Sequence, residues 1–295
     1  MPELPEVEAL ARFLHERAVG RAVSRVEVGS VAVMKTFDPP PESLLGLHLD
    51  GAERRGKFLV LHVGGVALVV HLARLGWLQW REELSSARLK LGGPVAFRLG
   101  LDGPGFDLTE GGGARGAARG GAAAKKRLAV WVVRSPQEVP GIARLGVDPL
   151  DPVFTPEVLA RLLAGTRGQV KGLLTDQTVL AGVGNAYSDE ALWHAQLSPY
   201  KPAANLTPGE VERLYDALVT TLTDAVCRSA GLASSRLKAE KKSGLAVHGR
   251  TGEPCPRCGD TIREVAFADK AFQYCATCQT GGKPLADRRL SRLLK

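Results

Sequence analysis

Four of the five cysteines fall within a short stretch near the end of the chain. Cys255 and Cys258 form one Cys-x-x-Cys pair, 16 residues follow, and Cys275 and Cys278 form a second. Two such pairs offer four thiolates at a spacing that suits one tetrahedral ion, and no histidine lies between them, which predicts a closed structural zinc site. Pro256, Arg257, Gly259 and Thr277 are turn-forming or polar residues and do not suit a core of four reduced thiols. The intervening "TIREVAFADKAFQY" reads as two short strands with a turn at "ADKA", so Lys270 would project from the tip of a metal-stiffened ribbon. That shape suits a DNA groove or a phosphate, and equally a protein surface. Local clustering argues against a disulfide framework. Cys227 stands apart in the apolar-periodic "LVTTLTDAVCRSAG", where core packing is the expected role.

With 295 residues the chain exceeds one ordinary core, so at least two lobes are expected. Val7, Leu10, Ala11 and Leu14 share one face of a helix directly behind the N-terminus. From 22 to 101 the pattern turns to β-branched runs punctuated by glycine pairs, the signature of a β-sandwich. Residues 102–127 are rich in Gly and Ala and predict a flexible loop. "LAVWVV" resumes a buried strand, and from Thr155 onward Thr-Pro helix starts dominate. The fold class is therefore α+β multidomain. Residues 1–134 form an N-terminal β-sandwich with its own N-terminal helix, 135–150 a proline-marked linker, 151–244 a helical domain, and 245–295 a zinc ribbon with a basic tail.

The formal charge of +8 permits a polyanionic partner without requiring one. No apolar run is long enough to cross a membrane, and the first 20 residues carry four glutamates where a secretory signal would be basic and then apolar. A cytoplasmic protein with no membrane partner is expected.

Two further stretches carry chemistry. In "LTDQTVLAGVGNAYSDEAL" a helix is expected to end near Leu180, Gly182 and Gly184 permit a tight turn, and Asn185 begins the next helix. Amides at such a helix start form an anion site, although the pattern alone also fits a plain helix-turn-helix connection. The opening "MPELPEVEAL" repeats a Pro-Glu pair at Pro2-Glu3 and Pro5-Glu6, which by itself reads as a helix start.

Taken in order, "PELPEVE" behind Met1, "RRGKFLVL", "HLxxLG", "LTDQTVLAGVGNAYSDEAL" and "HGRTGEPCPRCG...YCATCQ" resemble the formamidopyrimidine-DNA glycosylase / endonuclease VIII family of base-excision repair enzymes. The resemblance spans nearly the whole chain and is weakest over roughly 82–127. It implies a helix-two-turn-helix domain and a bifunctional glycosylase and abasic-site lyase acting on damaged, oxidised bases in double-stranded DNA. It further implies a monomer working in the nucleoid. In the family the initiator Met is removed, the exposed proline nitrogen attacks C1′ of the damaged nucleotide, and the adjacent glutamate handles protons. Carried over residue by residue, Pro2 is the nucleophile and Glu3 the proton carrier. Glu6 orients the site or stabilises the helix, and Lys57 contacts the lesion phosphate or base. His71 would sit beside the DNA backbone. Lys171, on a helix surface, and Asn185 would contact phosphate, as would Lys270.

Three departures stand out. The family fills the gap left by a flipped base with Met, Arg and Phe. Here the Met position is Arg74 and the Arg-Phe-Gly segment is replaced near "KKRLAVW", leaving Arg74, Leu75 and Arg127 as wedge candidates. Lys270 stands where arginine is usual, which puts δ-elimination in doubt because lysine lacks the bidentate fork. The stretch from Gly231 to Arg250 is short, implying an open pocket. The alternative class is a catalytically reduced protein that binds damaged DNA or abasic sites.

Overall fold

The computed structural model describes residues 1–110, 128–267 and 270–286. Contacts divide the chain into two compact units, Met1–Arg144 with Ser229–Lys238, and Leu145–Arg228 with Ala239–Lys295. Residues 229–238, which the sequence reading places in the helical domain, thus cluster with the first unit.

In the first unit, α1 (Leu4–Ala18) precedes β1 (Val23–Val28), β2 (Leu49–Arg55), β3 (Phe58–Val63), β4 (Val66–His71), β5 (Gly76–Arg81), β6 (Val95–Leu101), β7 (Gly105–Glu110) and β8 (Ala129–Val133), with a short α2 (Pro140–Ala143) behind them. The strands form two four-stranded sheets, β1-β6-β7-β5 and β2-β3-β4-β8, with every pairing antiparallel. Leu10 and Leu14 of α1, Leu59 and Leu61 of β3, Leu68 and Val70 of β4, and Phe97, Phe106 and Leu108 of the other sheet share one core. Each such side chain contributes about 1.5–3 kcal/mol by leaving water.

β7 lies inside the stretch expected to be a loop. Its "GFDLTE" sends Phe106 and Leu108 into the core, while Asp107 faces the other way and pairs with Arg98 at 2.7 Å. Period-two burial with a paired charge outweighs the Gly-rich composition around it. The remainder of that stretch, including Arg127, lies outside the described residues.

The second unit contains α3 (Pro156–Ala164), α4 (Val170–Thr175), α5 (Asn185–His194), most of α6 (Pro208–Ser229), most of α7 (Leu237–Gly244), the hairpin β9 (Ile262–Phe267) and β10 (Lys270–Cys275), and α8 (Ala276–Thr280). α6 buries Val211, Leu214, Leu218, Leu222 and Ala225. Cys227 falls off that stripe and is exposed, so the expected core role is corrected. Among the described residues, no helix is long and apolar enough to cross a membrane.

Candidate nucleic-acid and catalytic site

The first group of expected residues lies in the first unit, at the start of α1, in the β2–β3 turn and at the end of β4. Glu3 is the N-cap of α1, its side chain accepts from the Glu6 amide, and the Glu3 amide donates to Glu6 Oε2 at 2.8 Å. This reciprocal capping box explains why two glutamates can stand only 3 % and 1 % exposed at a helix start, where the dipole also favours negative charge. Pro2 is buried beside them while Met1 is half-exposed. α1 packs on β2 with a definite polarity. Glu8 reaches Arg54 at 3.0 Å, and His15 and Glu16 of the helix line one open cavity together with Ala52 and Glu53 of the strand. Burial opposes ionisation of Glu8, but the Arg12 and Arg54 guanidiniums hold its carboxyl below the usual range.

The β2–β3 turn is a two-residue hairpin, Gly56-Lys57, closed by the pair Arg55 and Phe58. Gly56 takes φ +56°, which only glycine adopts without strain, and this presents Lys57, itself 7 % exposed. Phe58 is also paired with His71 at the end of β4, their rings 4.8 Å apart. Burial, and then the charge of Lys57, push the His71 imidazole down to about 4, so it is neutral at neutral pH. Lys57 and His71 therefore share one electrostatic neighbourhood. Just beyond His71, Ala73 adopts φ +51° and Gly76 donates to the Leu72 carbonyl at 2.9 Å, which throws Arg74 and Leu75 into solvent. A left-handed alanine costs about 1 kcal/mol.

The second cluster belongs to the second unit. α4 ends at Thr175 and not near Leu180, because Asp176 Oδ1 accepts from both the amide and the hydroxyl of Thr178 and turns the chain. Gln177 then staples the connection, donating to the Val183 and Thr175 carbonyls and accepting from the Gly182 amide at 3.0 Å. Gly182 takes φ +87° and Gly184 caps α5. Asn185, first in α5, donates to the Ala271 carbonyl of β10 at 3.0 Å, which ties the helix start to the ribbon. Lys270 is the residue before Ala271; its side chain lies outside the described residues.

Lys171 is not on a helix surface. It is 8 % exposed, and its Nζ donates to the Asn185 carbonyl, to Ser188 Oγ at 2.7 Å and to Asp189 Oδ1. Its acidic partner, on the adjacent helix, was not legible from "GQVKGLL" alone. Asp189 Oδ2 accepts in turn from His248 Nδ1 at 2.6 Å and from the Gln273 amide. Glu190 takes the amides of Ala246, Val247 and His248; burial raises its pKa against those bonds. Asp189, Glu190, Gln177 and His248 are organising residues that the sequence reading missed, although all stand within the motifs it singled out.

The four cysteine sulfurs lie within 4.8 Å of one another, with Cys255 and Cys278 3.9 Å apart and Cys258 and Cys275 3.4 Å apart. A tetrahedral zinc with bonds of about 2.3 Å needs sulfurs about 3.8 Å apart, so the donor set fits. Burial and the neighbouring thiols push Cys275 up to about 11 and Cys278 higher still, while at Cys255 burial is outweighed by hydrogen bonds from nearby amides, Trp193 and Cys275, which lower it to about 7; a cation among the four sulfurs would favour the thiolate form of each. Trp193 Nε1 donates to Cys255 Sγ at 3.3 Å. A structural zinc bound by Cys255, Cys258, Cys275 and Cys278 is the cofactor.

A β-sandwich with a helical start, a two-turn connection between short helices, and a four-cysteine ribbon together define the architecture of a zinc-ribbon DNA glycosylase. Three family models match in sequence: the formamidopyrimidine-DNA glycosylase N-terminal domain over residues 1–106, its helix-two-turn-helix domain over 145–236, and a zinc finger found in that family and in isoleucyl-tRNA synthetase over 252–281. A formamidopyrimidine-DNA glycosylase of Symbiobacterium thermophilum is 39 % identical over 98 % of this chain and 93 % of its own. An uncharacterised glycosylase-like protein of Mycobacterium tuberculosis is 58 % identical over 51 % of this chain and 94 % of its own. The crystal structure of the Lactococcus lactis enzyme with DNA containing FAPY-dG superposes with a TM-score of 0.80 at 27 % identity, covering 94 % of this chain and all of that one. The chain belongs to the formamidopyrimidine-DNA glycosylase / endonuclease VIII family.

Proposed function

We propose that the protein is a bifunctional DNA glycosylase and abasic-site lyase that removes oxidised bases from double-stranded DNA. The observation that carries this reading is the buried Pro2-Glu3 start of α1, locked by the Glu3–Glu6 box. Once Met1 is removed, Pro2 presents a secondary amine at the chain end; terminal α-amino groups titrate at about 8, well below lysine side chains, which makes it the amine available as a nucleophile near neutral pH. Its nitrogen bonds to C1′ as the C1′–O4′ bond opens, with Glu3 donating a proton to the ring oxygen. The damaged base departs with the electrons of its N-glycosidic bond, leaving an iminium between Pro2 and C1′. Loss of a C2′ proton expels the 3′ phosphate, and water then releases Pro2. Glu6 holds the Glu3 amide and so the approach of its carboxylate.

Lys57 supplies the positive charge for the phosphate at the lesion, while neutral His71 can donate one N–H to the backbone. Arg74 and Leu75, held out by the strained turn, serve as the wedge behind the flipped nucleotide. In the second unit, the Gly182–Gly184 turn offers slim backbone to a phosphate, and the ribbon beside Asn185 supports it through Lys270. Lys171 positions this turn through the Asn185 carbonyl.

Single-turnover nicking of duplexes carrying oxidised purines, oxidised pyrimidines or an abasic site tests the proposal. Wild type is expected to nick at least one lesion duplex and Pro2→Gly none of them. Arg74, in place of an apolar wedge, is the feature that favours a catalytically reduced binding protein. Tight binding by wild type without nicking would establish that second reading.

A further inference from the structure

An open cavity of about 680 Å³ lies wholly within the first unit and plays no part in the chemistry above. Phe13 and Arg17 of α1 form one wall together with Trp80 on the core side of the edge strand β5, Trp77 and Arg81 form another on the opposite face of that strand, and Lys238 closes the third. Its wall residues contact one another directly. Trp80 Nε1 donates to Glu82 Oε1 at 3.0 Å, and that carboxylate pairs with Arg17 at 3.0 Å. Arg17 lies 5.0 Å over the Phe13 ring, and Phe13 meets Trp80 edge-on at 5.6 Å. Four side chains thus close a ring.

The third wall is fastened to β5. Trp77 Nε1 donates to the Ser234 carbonyl at 3.1 Å, the Trp80 amide donates to Ser234 Oγ at 3.4 Å, and Lys238 sits 4.5 Å over the Trp77 ring. These bonds cover an edge strand that would otherwise offer open backbone groups. Among the described residues the cavity is lined by three cations, Arg17, Arg81 and Lys238, and one carboxylate, Glu82; Arg17 pairs with Glu82, and Arg81 donates to Gln79 at 2.7 Å and lies 3.9 Å from Asp107 on β7, itself bound by Arg98, so positive charge remains in excess. The volume suits one small ligand. An aromatic wall calls for a flat ring, and the charge excess calls for an anion attached to it.

We propose that this cavity binds one unpaired nucleotide of a DNA strand, its base against Trp80 and its phosphate against Arg81 and Lys238. The assignment of a strand as the source rests on the DNA-repair reading, whereas the nucleotide chemistry stands on the cavity alone. Base–aromatic stacking and a phosphate–guanidinium contact are the forces involved.

The test uses the full chain and a thymidine hexamer carrying one 5-iodouracil. Irradiation is expected to join the hexamer to Trp80, identified by peptide mass, and Arg81→Gln should weaken hexamer binding about 10-fold, the loss of one such contact. Trp80→Leu should abolish the adduct and Trp80→Phe should retain most of the affinity, which separates stacking from a folding defect. Nicking of an abasic duplex by Arg81→Gln should match wild type. Thymidine monophosphate is expected to bind far more weakly than the hexamer; equal affinity would overturn the strand as the source. Adducts located elsewhere, or hexamer binding indifferent to Arg81→Gln, would overturn the site. Borohydride trapping at Pro2 is unaffected by either outcome and reports on the enzyme reading separately.

Discussion

The two units build their sites by opposite means. In the first, backbone geometry places the groups: a helix start sets Pro2, Glu3 and Glu6, a glycine hairpin sets Lys57, and a strand end sets His71. In the second, side-chain and thiolate bonds hold backbone in place: Asp189 and Glu190 bind the chain before and within the ribbon, and four cysteines close it. The first site should therefore lose chemistry without losing shape. The second should lose shape when a single partner goes.

Metal removal gives the largest expected effect. Structural zinc contributes on the order of 10 kcal/mol to small ribbons, so chelation should unfold residues 252–281. Hydrogen exchange should rise there and at Asn185 while α1 and β3 stay protected, and duplex affinity should fall steeply. Equal loss of protection in the β-sandwich would break the contrast between the units.

Asp189→Ala comes next. It leaves the buried Lys171 ammonium with only the Asn185 carbonyl and the Ser188 hydroxyl and removes the acceptor of the half-buried His248 ring, which should cost about 3 kcal/mol in denaturant unfolding of the second unit. Asp189→Asn, which keeps an acceptor, should cost less.

A smaller effect separates the units by pH. His71 has a folded pKa depressed to about 4, so between that value and 6.5 the unfolded chain binds the proton more readily. Its contribution is present above pH 6.5 and is lost as pH falls toward 4. Wild type should lose on the order of 2 kcal/mol more than His71→Gln over that window, read from unfolding of the first unit. A parallel loss in both proteins would show that His71 does not titrate as its surroundings imply.

Legibility followed the same division. Features written in local spacing could be read directly: the four-cysteine ribbon and the helix behind Pro2. Those that depend on a partner distant in sequence could not. Lys171 looks like a surface lysine until Asp189 is placed beside it on the next helix. β7 looks like loop until Arg98 is set across from Asp107. Helix α4 stops at Thr175, short of Leu180, because the Asp176 side chain competes for the backbone, and Cys227 misses the buried stripe of α6 by its angle alone. Family motifs found the right segments and left the wiring inside them unseen.

The central claim is that the Pro2 nitrogen forms the covalent bond to the sugar. Borohydride reduction of the protein on abasic-site DNA, followed by peptide mass mapping, tests it most directly. The account predicts that Met1 is absent, that one sugar-linked adduct sits on Pro2, and that Pro2→Gly yields no comparable adduct at equal duplex binding. An adduct on Lys57 or another lysine, or full trapping by a protein that retains Met1, would contradict it.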